Sequence, residues 1–318
     1  MPFSKESVLL DIAVETEKIV TKLRADVAHT LKKRGAVVGI SGGIDSSVVL
    51  ALCAKAFGPQ KVFGVMMPEK DSSSDSFILA KSLVRKFSVD YVLEDMTPAL
   101  YGFGTYARRD EAIRQIFPEY DVSYKAKIVL PKNILEKDTL NVYHLTIIAP
   151  NGEEKTKRIP IKEYLQIVAA SNFKQRSRMS MLYYHAERLN YAVIGTGNKN
   201  EHEMGFFVKY GDGGADVKPI AHLFKSQVFQ LAAFLGVPDE IQSRTPTTDT
   251  YSAEQTQEEF FFKLPFEILD AIWFGWEKGH SPEEIAAGLN LSTAQVQFVI
   301  NDIKRKIAAT EYLRMMPI

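Results

Sequence analysis

The chain has 318 residues, 46% of them apolar, and its 39 Lys plus Arg are balanced by 39 Asp plus Glu. That is enough for one large or two modest domains with a sizeable core, and a net charge of zero provides no global basic field to draw nucleic acid. A single cysteine, Cys53, excludes a disulfide framework, a thiolate zinc site and a two-cysteine sulfur relay; Met1-Pro2-Phe3-Ser4-Lys5-Glu6 lacks the regions of a signal peptide, no apolar run is long enough to span a membrane, and a cytoplasmic protein is expected.

In chain order, Leu9, Ile12, Ile19, Leu23, Val27 and Leu31, closed by Gly35, predict one long amphipathic helix over 4–34. Ala36-Val37-Val38-Gly39-Ile40 reads as a buried strand, Ser41-Gly42-Gly43-Ile44-Asp45-Ser46 as a phosphate loop, and the apolar run that follows as a helix in which Cys53 is a buried structural thiol. A second strand is predicted over 62–67, a helix behind a serine-rich cap over 74–87, and a third strand at Tyr91-Val92-Leu93. The rhythm then breaks between about 106 and 170. Lys127-Ile128-Val129-Leu130, the run from Val142 to Ile148, Asn151-Gly152 and the alternation from Lys155 to Ile161 predict an inserted β-hairpin or small lobe over the carboxyl edge. It could serve as a lid, a dimer arm or part of a substrate pocket.

A helix over 176–189, a strand at Tyr191-Ala192-Val193-Ile194 and a second glycine-containing turn, Gly195-Thr196-Gly197-Asn198-Lys199, resume the α/β pattern. Beyond Asp249 the chain reads as helical. Residues 282–306 form a helix-turn-helix pattern around Leu289-Asn290-Leu291-Ser292, and with few basic residues there a packed helix pair is favoured over a nucleic-acid reader. Phe260-Phe261-Phe262 with Trp273 and Trp276 is read as core rather than interface. The fold class is α/β: a doubly wound, mainly parallel sheet flanked by helices, with an inserted β-hairpin or lobe, a helical C-terminal region and the site at the strands' carboxyl ends.

The loop at 41–46 carries the chemistry. Its glycines let backbone N–H groups approach an anion, the helix start adds a favourable dipole, and Asp45 offers a carboxylate to a metal riding on a phosphate. It lacks the ending of a Walker A loop and the glycine spacing of a dinucleotide fold. It resembles instead the pyrophosphate loop of the N-type ATP pyrophosphatases, which split ATP into AMP and pyrophosphate. Four further segments join it: Asn172-Phe173-Lys174-Gln175-Arg176-Ser177-Arg178-Met179, the stretch 195–201, Phe207-Val208-Lys209-Tyr210-Gly211-Asp212-Gly213-Gly214-Ala215-Asp216, and Pro219-Ile220-Ala221-His222-Leu223-Phe224-Lys225-Ser226-Gln227-Val228. In this order they resemble the NAD synthetases over nearly the whole chain except the insertion. No nitrilase-like glutaminase domain is present, so the ammonia-dependent form is expected.

The resemblance implies that ATP adenylates the carboxylate of deamido-NAD (nicotinic acid adenine dinucleotide), releasing pyrophosphate, and that ammonia then displaces AMP to leave NAD. It assigns Gly39, Ile40, Ser41, Gly42, Gly43, Ile44, Asp45, Ser46, Thr196, Lys225 and Thr247 to ATP, and Asp45 with Glu201 to Mg2+. Arg176, Lys209 and Asp216 fall to deamido-NAD, and Asp212 to freeing ammonia from ammonium; Asp212 and Lys225 are the catalytic pair. It also implies one domain over 1–318, with an insertion over about 106–170 and a helical tail over about 256–318, and a homodimer with the dinucleotide near the subunit interface. Partners are small molecules, with no nucleic acid and no membrane. Of the six histidines, His144, His185, His202, His222 and His280 show no metal-like spacing.

Two departures bear on the acceptor. Thr310-Glu311-Tyr312-Leu313-Arg314-Met315-Met316-Pro317 has Tyr312-Leu313 where the family usually has His-Lys, and the insertion over about 106–170 is larger than the usual loop and carries new basic residues; Gln175 also stands where alanine is usual. Arg108, Arg109, Lys125 and Lys127 in the insertion are candidates to replace the lost charge. Amidation of a different carboxylate, an RNA-modifying pyrophosphatase and a non-catalytic nucleotide-binding protein stay open as alternatives.

Overall fold

The computed structural model of the protein describes residues 3–129, 143–247, 251–253 and 256–316. Leu130, Val142, Asp249, Pro317 and the Phe260 side chain lie outside the described residues.

Four strands form a parallel sheet: β1 (Ala36–Gly39), β2 (Val62–Met66), β3 (Asp90–Leu93) and a late strand, Ala192–Ile194, in the order third, second, first, late. The register sets Ala36 beside Val62 on one side and beside Ala192 on the other. Alternation along β1 decides which helices cover which face. Ala36 and Val38 point into a core shared with α1 (Ile12–Ala25), α2 (Ile44–Phe57), α3 (Ser74–Phe87) and the later helix Lys225–Leu235, whereas Val37 packs with Met179, Leu182 and Ala186 on the opposite face. The chain therefore leaves β1 on one face and comes back to its other neighbour on the opposite face. That makes the gap between β1 and the late strand a switch point, where the carboxyl ends splay into a crevice.

Between β3 and the late strand come α4 (Thr97–Gly102), α5 (Thr105–Ile116), strands β4 (Lys125–Val129), β5 (His144–Ile148) and β6 (Glu154–Arg158), and α6 (Ile161–Leu189); the late strand is thus β7. The expected hairpin is the β5–β6 half of a three-stranded antiparallel sheet with β5 central. Its turn is at Asn151-Gly152, where Gly152 has φ +85°. Ala126, Ile128, Leu145 and Ile147 bury one face of this sheet against α5 and Ile167 of α6, while β6 is exposed along its whole length.

Two expected helices have different bounds. The segment 4–34 is not one helix: a short turn at Lys5–Val8 precedes α1, because the Asp11 side chain accepts the Val14 N–H at 3.2 Å and opens a new helix. α6 starts at Ile161, well before Arg176, and runs for 29 residues, since Tyr164, Ile167, Val168 and Ala170 continue its buried side against the second sheet and the cavity.

After β7 come α7 (Lys199–Met204), α8 (Lys225–Leu235), α9 (Asp239–Gln242), α10 (Phe266–Glu277), α11 (Pro282–Leu289), α12 (Thr293–Ala309) and α13 (Glu311–Arg314). The helix-turn-helix pattern is α11 and α12, joined through Asn290 in the left-handed region and a capping box from Ser292 to Gln295. Ile285, Val296, Val299, Ile300 and Ile303 pack on Trp273 and Ile272 of α10. Among the described residues no helix is long and apolar enough to cross a membrane.

Candidate active site

The loop from β1 to α2 closes on itself. Ser41 Oγ accepts the Gly43 N–H at 3.2 Å, and the Ser46 and Ser47 hydroxyls donate to the Gly43 carbonyl at 3.0 and 2.8 Å. Gly42 has φ +75°, and a Cβ there would lie 2.4 Å from the Ser76 carbonyl oxygen of α3, so only glycine fits between the loop and that helix. α2 opens behind Gly43 with no side chain capping it. Its first-turn residues Ile44, Asp45 and Ser46 line the large cavity, so the free N–H groups of that turn are available to an anion.

The turn after β7 meets this loop from the other side of the switch point. Asn198 and Glu201 form a capping box: Asn198 Oδ1 accepts the Glu201 N–H and Glu201 Oε2 accepts the Asn198 N–H, both at 3.1 Å. The same Asn198 amide donates to Asp45 Oδ1 at 3.0 Å, and the Lys225 ammonium bonds Asp45 Oδ2. Lys225 is fully buried, so this ion pair is held within the protein. Gln257 Nε2 donates to Glu201 Oε1 at 3.3 Å.

Burial, and then the nearby charge of Asp45, push the Glu201 carboxyl up to about 8. Two carboxylates that oppose each other's ionisation make a place for a cation. Among the described residues no three His, Cys, Asp or Glu converge on one point. An ion such as Mg2+ takes one or two protein carboxylates and completes its shell with phosphate oxygens and water, and Asp45 with Glu201 would supply that number.

Both turns open into one cavity of about 760 Å³. Thr196, Thr247, Arg176, Lys209 and Asp212 line it together with Gly39, Ile40, Ser41, Gly43, Glu201 and Lys225. Two expected residues do not. Gly42 backs onto α3, and Asp216 accepts the Val193 N–H at 2.8 Å and the Tyr183 hydroxyl at 3.1 Å, alongside β7. Asp212 Oδ1 accepts the Val208 N–H at 2.8 Å. It is open to the cavity but ringed by protein, which raises its carboxyl above the usual range. Arg176 donates to the Lys209 carbonyl at 3.1 Å, while the Lys209 ammonium donates to the carbonyls of Tyr312 and Met315 at 3.2 and 3.0 Å. The C-terminal segment thus closes over the cation assigned to the acceptor. Ser171 Oγ and Gln257 Oε1, both from residues on the wall, are buried with no hydrogen-bond partner among the described residues.

None of the four cations proposed to replace the missing charge lines this cavity. Arg109 is 5% exposed and bonded to Asp71 and Asp110; Arg108 donates to the Phe103 carbonyl; Lys125 faces a smaller neighbouring cavity; Lys127 lies on β4. Arg109 belongs to a buried ionic cluster that sequence patterning did not reveal. Lys174 lies 2.9 Å from Glu69 and 2.6 Å from Asp71, and the Tyr106 hydroxyl donates to Glu69 at 2.6 Å. The cluster ties the loop after β2, which lines the cavity, to α5 and α6. Lys174 sits beside Arg176 in a segment singled out from sequence, but residue type alone does not tell a buried ion pair from a ligand contact. Asn198 caps α7 and Asn200 lies in its first turn, where their amides carried no signal of their own.

Against known proteins, the family described as NAD synthase matches residues 15–119 and 123–317. The NH(3)-dependent NAD(+) synthetase of Rhizobium meliloti is 50% identical over 99% of this chain and 94% of its own length. The enzyme of that name from Thermotoga maritima is 37% identical over 77% of this chain and 81% of its own. In solved structures, an NMN synthetase from Francisella tularensis aligns with a TM-score of 0.66 at 22% identity, covering 98% of both chains. An NH3-dependent NAD synthetase from Campylobacter jejuni aligns at 0.61 and 21%, over 97% and 99%. Identities that low speak for the fold alone. Half-identity over almost all of its length, with the family pattern running from α1 past α13, makes this chain a member of the NAD synthase family.

Proposed function

We propose that the protein is an ammonia-dependent ligase that converts deamido-NAD to NAD, splitting ATP into AMP and pyrophosphate. The observation that carries this reading is one cavity lined by the uncapped start of α2, the Asp45–Glu201 carboxylates, the buried Lys225 and Asp212. The α2 N–H groups hold the triphosphate, and Lys225 balances charge on the phosphates as the acceptor carboxylate attacks the α-phosphorus. Pyrophosphate leaves, giving an acyl adenylate. When bound through Asp45 and Glu201, Mg2+ supplies charge neutralisation of the leaving pyrophosphate. Asp212, with its raised pKa, takes a proton from ammonium; ammonia then attacks the acyl carbon and AMP departs, leaving the amide. Arg176 and Lys209 orient the acceptor, while Asp216, which does not line the cavity, braces the wall through Val193 of β7 and Tyr183 of α6.

We further read residues 1–318 as one ATP pyrophosphatase domain with the second sheet inserted, acting as a cytoplasmic homodimer; sedimentation velocity at micromolar concentration tests the dimer. A different carboxylate acceptor is the second reading, because Lys209 is engaged by the C-terminal carbonyls and Tyr312-Leu313 stands where the family usually has His-Lys. The deciding experiment supplies ATP, magnesium, ammonium and deamido-NAD and follows AMP and NAD together. Equal amounts are expected. AMP without NAD moves the reading to another acceptor, and ADP with phosphate overturns the chemistry.

A further inference from the structure

α8 starts without a capping side chain of its own, since Phe224 occupies the cap position and an aromatic ring offers no oxygen to free N–H groups. Those groups are met from elsewhere in the chain. Asn200 Oδ1 of α7 accepts the Lys225 N–H at 2.9 Å, and Asp270 Oδ2 of α10 accepts the Ser226 N–H at 2.8 Å. The Asn200 amide nitrogen in turn donates to Asp270 Oδ1 at 2.5 Å. Asn200, Lys225 and Asp270 are all 0% exposed. An acid so deeply buried is costly, and burial pushes it up to about 6 even with the Ser226 and Asn200 N–H groups donating to it. Its location gives it a purpose. Lys225 carries a cation at the positive end of a helix, where the dipole opposes it, and a carboxylate there offsets that field. α10 also reaches the other end of the same side chain, with the Phe266 ring 5.7 Å from the Lys225 ammonium, one helical turn before Asp270.

We propose that Asp270, acting directly on α8 and through Asn200, is a positioning residue that fixes the first turn of α8 so that the Lys225 ammonium stays aimed at Asp45 and the nucleotide. The inference rests on the reading of Lys225 as an ATP-handling group. In Asp270→Asn, an amide nitrogen can face that of Asn200, donor against donor; a flip of Asn200 relieves this only by turning a donor toward the Lys225 N–H. Misaiming by a fraction of an ångström to an ångström lowers kcat about 10- to 100-fold, while KM for deamido-NAD stays within about twofold.

The test is a cycle of wild type, D270N, K225A and the double variant, with kcat, both KM values and calorimetric ATP affinity measured for each. A residue that acts through Lys225 has little left to lose once Lys225 is gone, so D270N should change K225A by less than about twofold. An equal loss on both backgrounds, or wild-type kcat in D270N, overturns the proposal. Asp302→Asn controls for destabilisation: Asp302 is 6% exposed and pairs with Arg305 and Lys306 on its own helix, so kcat should be kept. If D270N does not fold, Asn200→Ser breaks the path from Asp270 through Asn200 to the Lys225 N–H, leaves Asp270 on the Ser226 N–H, and must give the same pattern. Should wild type make no AMP with deamido-NAD, the functional reading fails separately. ATP affinity then still decides, because D270N and K225A must weaken it alike and non-additively.

Discussion

Both oxygens of the Asp45 carboxylate are engaged within the protein, one by the Lys225 ammonium and the other by the Asn198 amide. Replacing Asp45 by Asn keeps the shape but removes the charge, and turnover is expected to fall about 100- to 1,000-fold. Calorimetric ATP binding should be largely retained, because the N–H groups of α2 remain. Gly42→Ala meets a different obstacle, a φ of +75° and a Cβ 2.4 Å from backbone, so it should lower both the thermal midpoint and ATP affinity. Asp71 sets the expected pH response. Burial alone would raise its carboxyl, but the Lys174 ammonium and the Arg109 guanidinium outweigh that and hold it below the usual range. A depressed acid stabilises the fold above its ordinary pKa, and that stability goes as pH drops through the lower folded value. Asp71→Asn should therefore cost about 3 kcal/mol at pH 7 in urea unfolding, with the gap to wild type closing under strong acid. A constant gap from pH 7 to pH 2 would rule out the ion cluster as its cause.

Among the elements, α13 is the most exposed to test. Arg314 fastens it by donating to the carbonyls of Glu203 and Ile307 at 2.8 and 2.7 Å, while Thr310 packs on Gly205 at the end of α7. Arg314→Ala should loosen this strap over Lys209. Acceptor KM is then expected to rise about tenfold with ATP KM unchanged, since the strap touches the acceptor side only, and amides of residues 310–316 should exchange faster. Equal changes in both KM values would show that the segment supports the whole cavity. The elements also separate what was legible in the sequence from what was not. β1, the loop at 41–46, α2 and α3 were readable because glycine, serine caps and β-branched runs act locally. The three-stranded sheet was half readable, through Asn151-Gly152, while the start of α6 was not. Its first turns pack on residues from β4 and β5, and no local pattern records such a partner. The same limit hid Asp270, whose contacts lie 44 and 70 residues away.

At the scale of the molecule, the site exists because β1 has neighbours from two distant parts of the chain. The motifs on either side of the switch point were readable singly; that Asp45 and Lys225 touch across 180 residues was supplied by the resemblance and the fold, not by spacing. The same topology has a kinetic side. β1 pairs with β7, which follows about 150 residues later. During synthesis at about 5–20 residues per second, the edge of Ala36-Val37-Val38 waits roughly 8–30 s for its partner. Contacts so far apart in sequence form late. A fragment ending at residue 190 should accordingly self-associate in sedimentation and bind no ATP, because an unpaired apolar edge invites other strands. Nascent chains therefore pass through a period with an open, sticky strand and no nucleotide pocket. ATP capture becomes possible only once the second half of the protein has been made, so nucleotide binding doubles as a report that folding is complete.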